Sequence, residues 1–542
     1  MLIDRKLTSH RVMLLLLLLL LALLLINLGK WGVIETSEAR YAEISRGMLL
    51  SNDWLHPRLL GIQHFHKPPV TYIISALGMK IFGANAFGAR FFLQISLVLQ
   101  GWLVYLIGRQ LFKEKPPAKI ALIVYITIPA VLVAARNLTT DSFLTTFELA
   151  AILSWLLFKN ARRFRWLYLF YFFLAIAFLT KGPVGLIFPV LICLVYHSES
   201  KPLAPKPGHY LSALLLFLAL GFSWYIYLVL QDKQFIEYFF FKHTVQRVSN
   251  PATFGRSKPW WFYLVLVPVL SLPWSAILVF QFKEIKQLPR QALRLLLIWI
   301  FVPLLFFSLS SSKLILYVLP LFAGIALLTG YLLHSLQAEK LKKNVNFSLL
   351  FYLVLALALA LTPLLPVNIS VPGWTIIFPA FMIIGLIFIW HRPMLQLYKL
   401  LAAATLFVFL LTPFSTYLLA GNPELTKSGY WMAAFIEKQN LENRKVIVYD
   451  QLLPSLAFHL QKDILSVYDS DKNLIREIQF ERNRNWRRHY LNIHDKTDET
   501  RLKSLLKQNS VLILKGEAAP EKAWMIKQLP NKKQFGRWYL YY

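Results

Sequence analysis

Apolar runs long enough to cross a bilayer recur through the first three-quarters of this 542-residue chain, and nothing else in the sequence limits its fold so strongly. Hydrocarbon offers no partner to a backbone N–H or C=O, so segments of this length and composition must close their hydrogen bonds internally, as helices. With 57% hydrophobic and only 16% charged residues, the chain reads as an α-helical polytopic membrane protein. The opening run, Val12 to Asn27, follows Arg5, Lys6 and Arg11 as the core of a signal peptide would. No small-residue cleavage site comes after it, so it is expected to stay as a first helix.

A window suited to helices of roughly 20 residues marks about thirteen spans. They fall near 12–29, 88–111, 119–135, 143–158, 166–180, 183–197, 209–230, 260–281, 292–309, 314–335, 346–365, 373–391 and 397–419. The fifth and sixth are divided only by Thr180, Lys181, Gly182 and Pro183, whose glycine and proline suit a sharp reversal. Alternate connections carry the cations: the N-terminus, Lys113 to Lys119, Lys159 to Arg163, Lys201 to His209, Lys283 to Arg294 and Lys340 to Lys343. Basic loops stay in the cytoplasm, which places residues 30–87, Arg136 to Ser142, Gln231 to Pro259 and everything past Gly421 on the other side. The N-terminus is thus expected in the cytoplasm and the C-terminus in the periplasm of a bacterial-type inner membrane. A formal charge of +31 is then a topological signal and not the footprint of a nucleic-acid partner, with the excess suited to anionic membrane lipid or phosphate. Cys193 is the only cysteine, which excludes a disulfide framework and a thiolate metal site within one chain.

Two stretches of the first external loop, residues 37–50 and 69–83, have helical apolar spacing without the length to span, and read as helices lying at the interface. Beyond Gly421 hydropathy falls, and strand-like runs at 445–449, 463–468 and 511–514 alternate with polar helical stretches at 473–482 and 499–508. The expected organisation is therefore a transmembrane domain over 1–420, with the juxtamembrane helices in its 30–87 loop, and a small soluble α/β domain over 421–542.

Ionisable residues beside hydrocarbon are costly, so the dense set after the first span asks for a function. Glu35, Glu38 and Glu43 stand there with Arg40 and Tyr41, followed by His64, His66 and Lys67. By itself Glu38 would be a first-turn carboxylate in a helix capped by Thr36 or Ser37; in this company it is a candidate general base. His64 and His66 are two apart in a segment that Pro68 biases toward extended backbone, so both imidazoles point one way. They can supply two ligands of a divalent metal such as zinc with His243 as a third, or simply bond to water or phosphate. Asp141, between two spans, is a helix cap or a site residue, and Lys181, in its tight loop, suits a phosphate. Arg247, Arg256, Lys258 and Lys313 add cations on the same side, for which a phosphate-bearing lipid is the economical ligand. No GxxxxGK[ST] or GxGxxG sequence stands in a strand-to-helix setting, so a cytosolic nucleotide has no motif to bind.

These motifs resemble those of the C-type glycosyltransferases, in particular the aminoarabinose transferases of lipid A and the protein O-mannosyltransferases. The resemblance rests on Glu38 to Ile44, Gly61 to Pro69, Leu138 to Asp141, Leu179 to Gly182, Lys242 to Arg247 and Lys313 to Pro320, in that order along the chain. It implies a polyprenyl-phosphate-linked sugar as donor, its phosphate held at Lys67, Lys181 and Arg247, with Tyr317 lining the lipid pocket and His243 and the residue at His66 as a metal pair. It implies too an acceptor that is a lipid, glycan or protein. One departure stands out: the family usually carries an aspartate immediately before the glutamate of its first-loop motif, and that residue here is Ser37. Serine is no carboxylate base, so Glu38, Glu35 or Asp141 is expected to take the proton. His66 also replaces a glutamate of the aminoarabinose enzymes. Against an inverting glycosyltransferase stand two other readings, a transporter or flippase of lipid-linked sugar and a non-catalytic assembly subunit. Charges gathered at one face disfavour the first; Ser37 keeps the second open.

Overall fold

The computed structural model describes residues 10–197, 206–238, 258–310, 312–364, 369–470 and 474–542. It falls into two compact units, one formed by Met1–Ile26 and Leu93–Ser415, the other by Asn27–Phe92 and Thr416–Tyr542.

The first unit is helical. Among the described residues of the chain, seven helices are long and apolar enough to cross a membrane: Ala86–Phe112, Thr140–Ala161, Phe164–Lys181, Arg290–Leu309, Ala338–Ala360, Gly373–His391 and Gln396–Gly421. Three helix pairs reach that length and apolarity only together and are bent at the break, Lys115–Ile126 with Pro129–Arg136 (54°), Pro207–Gly221 with Ser223–Gln231 (48°), and Phe262–Val269 with Trp274–Phe280 (102°). Proline explains two of the bends. Ile128, held extended before Pro129, breaks the first pair, and Pro268 and Pro273 bracket the break in the third. Shorter apolar helices at Arg11–Leu25, Pro183–Val195 and Leu321–Ser335 occupy the remaining segments in which the sequence pattern predicts spans.

Small residues set the closest approaches. A Cβ on Gly330 would fall 2.6 Å from the Ala121 amide nitrogen and 2.7 Å from the Pro117 carbonyl, so the helices Lys115–Ile126 and Leu321–Ser335 pack backbone to backbone there. A ladder of polar side chains ties a second set of contacts. Tyr125 donates to Gln100 Oε1 (2.7 Å), Gln100 donates to the Ser142 carbonyl (2.7 Å), and the Ser96 and Thr146 hydroxyls lie 2.6 Å apart. The ladder pins the first turns of the helix that carries Asp141.

The second unit joins residues 27–92 to the C-terminal residues, where the sequence reading divides them between two domains at residue 420. Burial gives the reason. The helix Ser37–Ser51 turns Ile44 and Met48 into one core with Tyr72, Met432, Ile436, Leu456 and Leu460. Hydrogen bonds repeat the link: Val33 N–H to His459 Nε2 (3.1 Å), Glu35 N–H to the Thr426 carbonyl (3.2 Å) and Gln63 N–H to Glu481 Oε1 (2.8 Å). Gly32 is required where it stands, because φ is +67° and a Cβ would meet Ser428 Oγ at 2.6 Å.

Its sheet has strands β3 (Lys445–Tyr449), β4 (Leu465–Tyr468), β5 (Tyr490–Asn492), β6 (Ser510–Lys515), β7 (Lys532–Phe535) and β8 (Trp538–Tyr541); β1 (Arg58–Leu59) and β2 (Ile62–Gln63) form a separate hairpin. The order is β5-β4-β3-β6-β8-β7, parallel from β5 to β6 and antiparallel beyond. Alternation along β3 feeds two cores: Val446 and Val448 pack with Leu456 and Leu460 of the helix Pro454–Leu460, Ile447 and Tyr449 with Leu502 and Leu506 of Lys496–Lys507. Helices cover both faces, as in doubly wound sheets.

His459 makes this unit acid-sensitive. Burial, with the nearby Arg90 charge adding to it, lowers the imidazole from its usual value to about 3, and the neutral ring accepts the Val33 N–H. Between roughly pH 6.5 and 3 the unfolded chain takes up the proton and the folded one does not, so stability falls as pH drops through that window. Thermal melts of wild type against His459→Gln check it: the wild-type midpoint drops more steeply below pH 6.5, and parallel curves would show that His459 plays no part.

Candidate active site

Helix lengths bring Asp141 to Lys181. The helices Thr140–Ala161 and Phe164–Lys181 pack against each other, joined only by Arg162 and Arg163, so they run antiparallel and the first turn of one meets the last turn of the other. Thr139 takes the N-cap position with no side-chain cap bond, which leaves Asp141 in the first turn and removes the capping role the sequence offered it. A carboxylate at a helix N-terminus and an ammonium at a C-terminus both suit the macrodipole. The two side chains form an ion pair and both are largely buried. Lys181 Nζ also sits 4.3 Å from the centroid of the Tyr317 ring, a cation–π contact. Tyr317 belongs to the short turn Ile315–Val318, whose entry is fixed by Tyr263: its hydroxyl donates to the Leu314 carbonyl (2.7 Å) and accepts the Leu314 N–H (3.1 Å). Lys313 turns back on its own connection, donating to the carbonyls of Ser310 (2.5 Å) and Lys258 (3.1 Å).

Glu148 was not legible as part of this set. Seven residues after Asp141, it lies on the same helix face about two turns further in. Its side chain is fully buried, neither oxygen accepts a hydrogen bond, and Lys181 and Asp141 are the charges that act on it. A glutamate within an apolar run of spanning length was the signal available.

In the second unit Glu38, one of the three candidate bases, is engaged in a buried ion pair. Both carboxylate oxygens are taken by Arg90, from Nε at 2.7 Å and from its terminal nitrogen at 2.7 Å, and one accepts the Ile34 N–H as well (2.7 Å). Arg90 completes its shell with the carbonyls of Leu28 (2.8 Å) and Gly32 (2.5 Å) and stacks 4.4 Å over Trp31. Glu38 and Arg90 are 1% and 0% exposed, so the pair is a buried clasp on the first loop. The helix instead turns Ser37 outward, with Arg40 and Tyr41 half-buried. Tyr41 packs on Tyr72, ring centroids 5.4 Å apart. Glu35 also serves the fold, its Oε1 accepting the Ser455 N–H at 2.8 Å. Glu43 forms a bidentate pair with Arg46 at 2.7 and 2.8 Å, and burial raises its carboxyl against the pull of that guanidinium.

His64 and His66 do face one another, ring centroids 4.3 Å apart and edge to face, with Phe480 beside His66. Burial, reinforced by His66, Arg40 and Arg476, holds the His64 imidazole well below its usual pKa, in the neutral form that ligates metals. Among the described residues no three His, Cys, Asp or Glu side chains are grouped as a metal ion would need, and two imidazoles are half of a zinc shell. Lys67 is half-buried in the same segment. His243, Arg247 and Arg256 lie outside the described residues.

Comparison with known proteins places this architecture. The dolichyl-phosphate-mannose-protein mannosyltransferase family matches residues 66–227. The crystal structure of ArnT from Cupriavidus metallidurans bound to undecaprenyl phosphate superposes with a TM-score of 0.78 over 98% of both chains at 21% identity, a likeness of fold. Such a fold and sequence define a polytopic membrane glycosyltransferase of the C-type superfamily. Two proteins of Pseudomonas fluorescens strains, each an undecaprenyl phosphate-alpha-4-amino-4-deoxy-L-arabinose arabinosyl transferase 2, align at 29% identity over 83% of this chain and 79% of their own, and at 31% over 65% and 68%. A Pseudomonas aeruginosa counterpart is 32% identical over 57% of each, so there the chain spans little more than half the relative's length. The chain belongs to the family of these arabinosyl transferases.

Proposed function

We propose that this chain transfers a sugar from a polyprenyl-phosphate donor to a lipid, glycan or protein acceptor at the periplasmic face of a bacterial inner membrane, with its N-terminus cytoplasmic and its C-terminus periplasmic. The names of its relatives support undecaprenyl phosphate as the lipid carrier, and the basic residues of alternate loops support the orientation. The observation that carries the reading is the buried Asp141–Lys181 pair beneath Tyr317. A donor phosphate offers Lys181 a stronger partner than a single carboxylate, and as the ammonium turns to it the Asp141 carboxylate is released. Asp141 then takes the proton of the acceptor hydroxyl or phosphate. The acceptor oxygen bonds to the anomeric carbon with inversion as the bond from that carbon to the phosphate oxygen breaks. The electron pair leaves with the polyprenyl phosphate, whose added charge Lys181 balances in a largely dry setting. Lys67 and Arg247 take the phosphate role that their motifs imply. A non-catalytic assembly subunit is the second reading, and Ser37 alone favours it.

Alanine at Lys67, Lys181 or Arg247 tests the donor contacts. Each loses a charge-assisted hydrogen bond of about 1.5–3 kcal/mol, so donor use falls about 10- to 150-fold, measured per folded molecule because Lys181→Ala also strands the buried Asp141 carboxylate. Wild-type transfer rates in all three variants would reduce these cations to a solvated face.

A further inference from the structure

The C-terminal sheet carries a cleft that the transfer chemistry does not use. In its parallel part the chain runs from β3 outward to β4 and β5, then crosses back to β6 on the other side of β3, so β3 and β6 are the switch point of the winding. Connections leave the carboxyl ends of these two strands toward opposite faces, and the gap this opens is where doubly wound sheets take their ligands. A cleft of about 460 Å³ lies at those ends, lined by Tyr449, Asp450, Ser470, Lys515, Glu517 and Lys522.

Its walls are built. Asp450, at φ +52°, accepts the Asp469 and Ser470 N–H groups (2.9 and 2.7 Å) and the Ser470 hydroxyl (3.1 Å), tying the end of β3 to that of β4. Asp469 behind it takes Lys522 (2.5 Å) and the Tyr449 hydroxyl (2.7 Å). Glu517 pairs with Lys532, and Lys515 is exposed at the end of β6. No glycine-rich turn follows β3, where the sequence runs Asp450-Gln451-Leu452-Leu453-Pro454, so the phosphate-binding turn of a dinucleotide site is lacking.

We propose that this cleft is a second binding site, for an uncharged saccharide. The carboxylates of Asp450, Asp469 and Glu517 are matched by the ammonium groups of Lys515, Lys522 and Lys532, so the site is electrically balanced yet lined by both strong donors and strong acceptors. A sugar hydroxyl gives a hydrogen bond to a carboxylate and takes one from a lysine. A phosphate or carboxylate ligand in the cleft would face the carboxylates of Asp450 and Glu517 as well as the lysines, and an apolar ligand would strip water from all of them. The volume fits one or two sugar rings within the usual range of ligand pockets.

Saturation-transfer NMR on the full chain in detergent micelles tests this, with glucose, galactose, mannose and N-acetylglucosamine as probes and glucose 6-phosphate and inorganic phosphate as anionic arms. Ala519→Trp fills the cleft from an exposed position, and Lys515→Glu breaks its charge balance without touching a partnered group. At least one neutral sugar gives a transfer signal that Ala519→Trp abolishes and Lys515→Glu weakens by about three- to tenfold, the loss of one hydrogen bond, while inorganic phosphate does not displace it. Signals equal in wild type and both variants, or binding of glucose 6-phosphate and phosphate without any neutral sugar, overturn the proposal. Sugar binding that survives both substitutions belongs to another part of the chain and counts against this cleft.

Discussion

Replacing Asp141 by asparagine lowers sugar transfer per folded molecule by roughly 10²–10⁴-fold, the range for a lost general base. Asparagine keeps the size of the side chain and an oxygen that accepts from Lys181, and counting per folded molecule sets aside the stability lost with the ion pair. What disappears is the capacity to take a proton. Of the three carboxylates the sequence offered, Asp141 is paired with a single ammonium, whereas Glu38 is clasped by a fully buried guanidinium that also binds two backbone carbonyls and Glu35 accepts a backbone amide. Turnover of purified variants at saturating donor reads the effect. Glu148→Gln, which keeps the shape of a fully buried neighbour of the pair, costs less than about tenfold, since it leaves the base itself in place. Ser37→Asp places a carboxylate at an exposed first-turn position, where the helix dipole favours it by about 0.3–1 kcal/mol, and its rate equals or exceeds that of wild type. Full activity in Asp141→Asn moves the proton transfer elsewhere.

Glu38→Gln acts on the fold instead. Removing one partner of a buried ion pair strands the other charge, and Arg90 has no exposure through which water could screen it. The loss is roughly 3–5 kcal/mol, enough to collapse the yield of folded protein or lower its melting temperature sharply, with the molecules that remain folded transferring sugar at a near-normal rate. Arg90→Met does the same from the other side. Combining Glu38→Leu with Arg90→Met recovers much of the loss, because no charge is then left buried, and this recovery separates a clasp from a catalyst. A Glu38→Gln protein that folds normally and has lost transfer would restore Glu38 as the base.

Apolar length made the helices legible, and each segment marked as a span is occupied by a straight helix, a bent pair or a short one. Bends were less so, since Pro129 and Pro273 announce a break but not its angle. In the soluble part β3, β4 and β6 stood out as buried β-branched runs, whereas β5 has three residues and β7 is the polar edge Lys532-Lys533-Gln534-Phe535, which no hydrophobic pattern reveals. Pairing across long sequence distances was the main thing hidden. Nothing local in Glu38 says that Arg90 will claim it, although an arginine at the head of an apolar helix was itself a warning. The same holds for residues 27–92, whose apolar spacing gave two helices correctly but not the C-terminal core that Ile44 and Met48 join.

Transfer itself is the most direct test. Purified wild-type protein in lipid vesicles is given undecaprenyl-phosphate carrying 4-amino-4-deoxy-arabinose, and separately other undecaprenyl-phosphate sugars, with lipid A and membrane glycans as acceptors, and released undecaprenyl phosphate is followed by mass spectrometry. The account predicts that at least one donor is consumed with equal formation of glycosylated acceptor, and that Asp141→Asn stops both. Release of no undecaprenyl phosphate from any donor by well-folded wild-type protein would contradict it and leave the chain a non-catalytic member of its family.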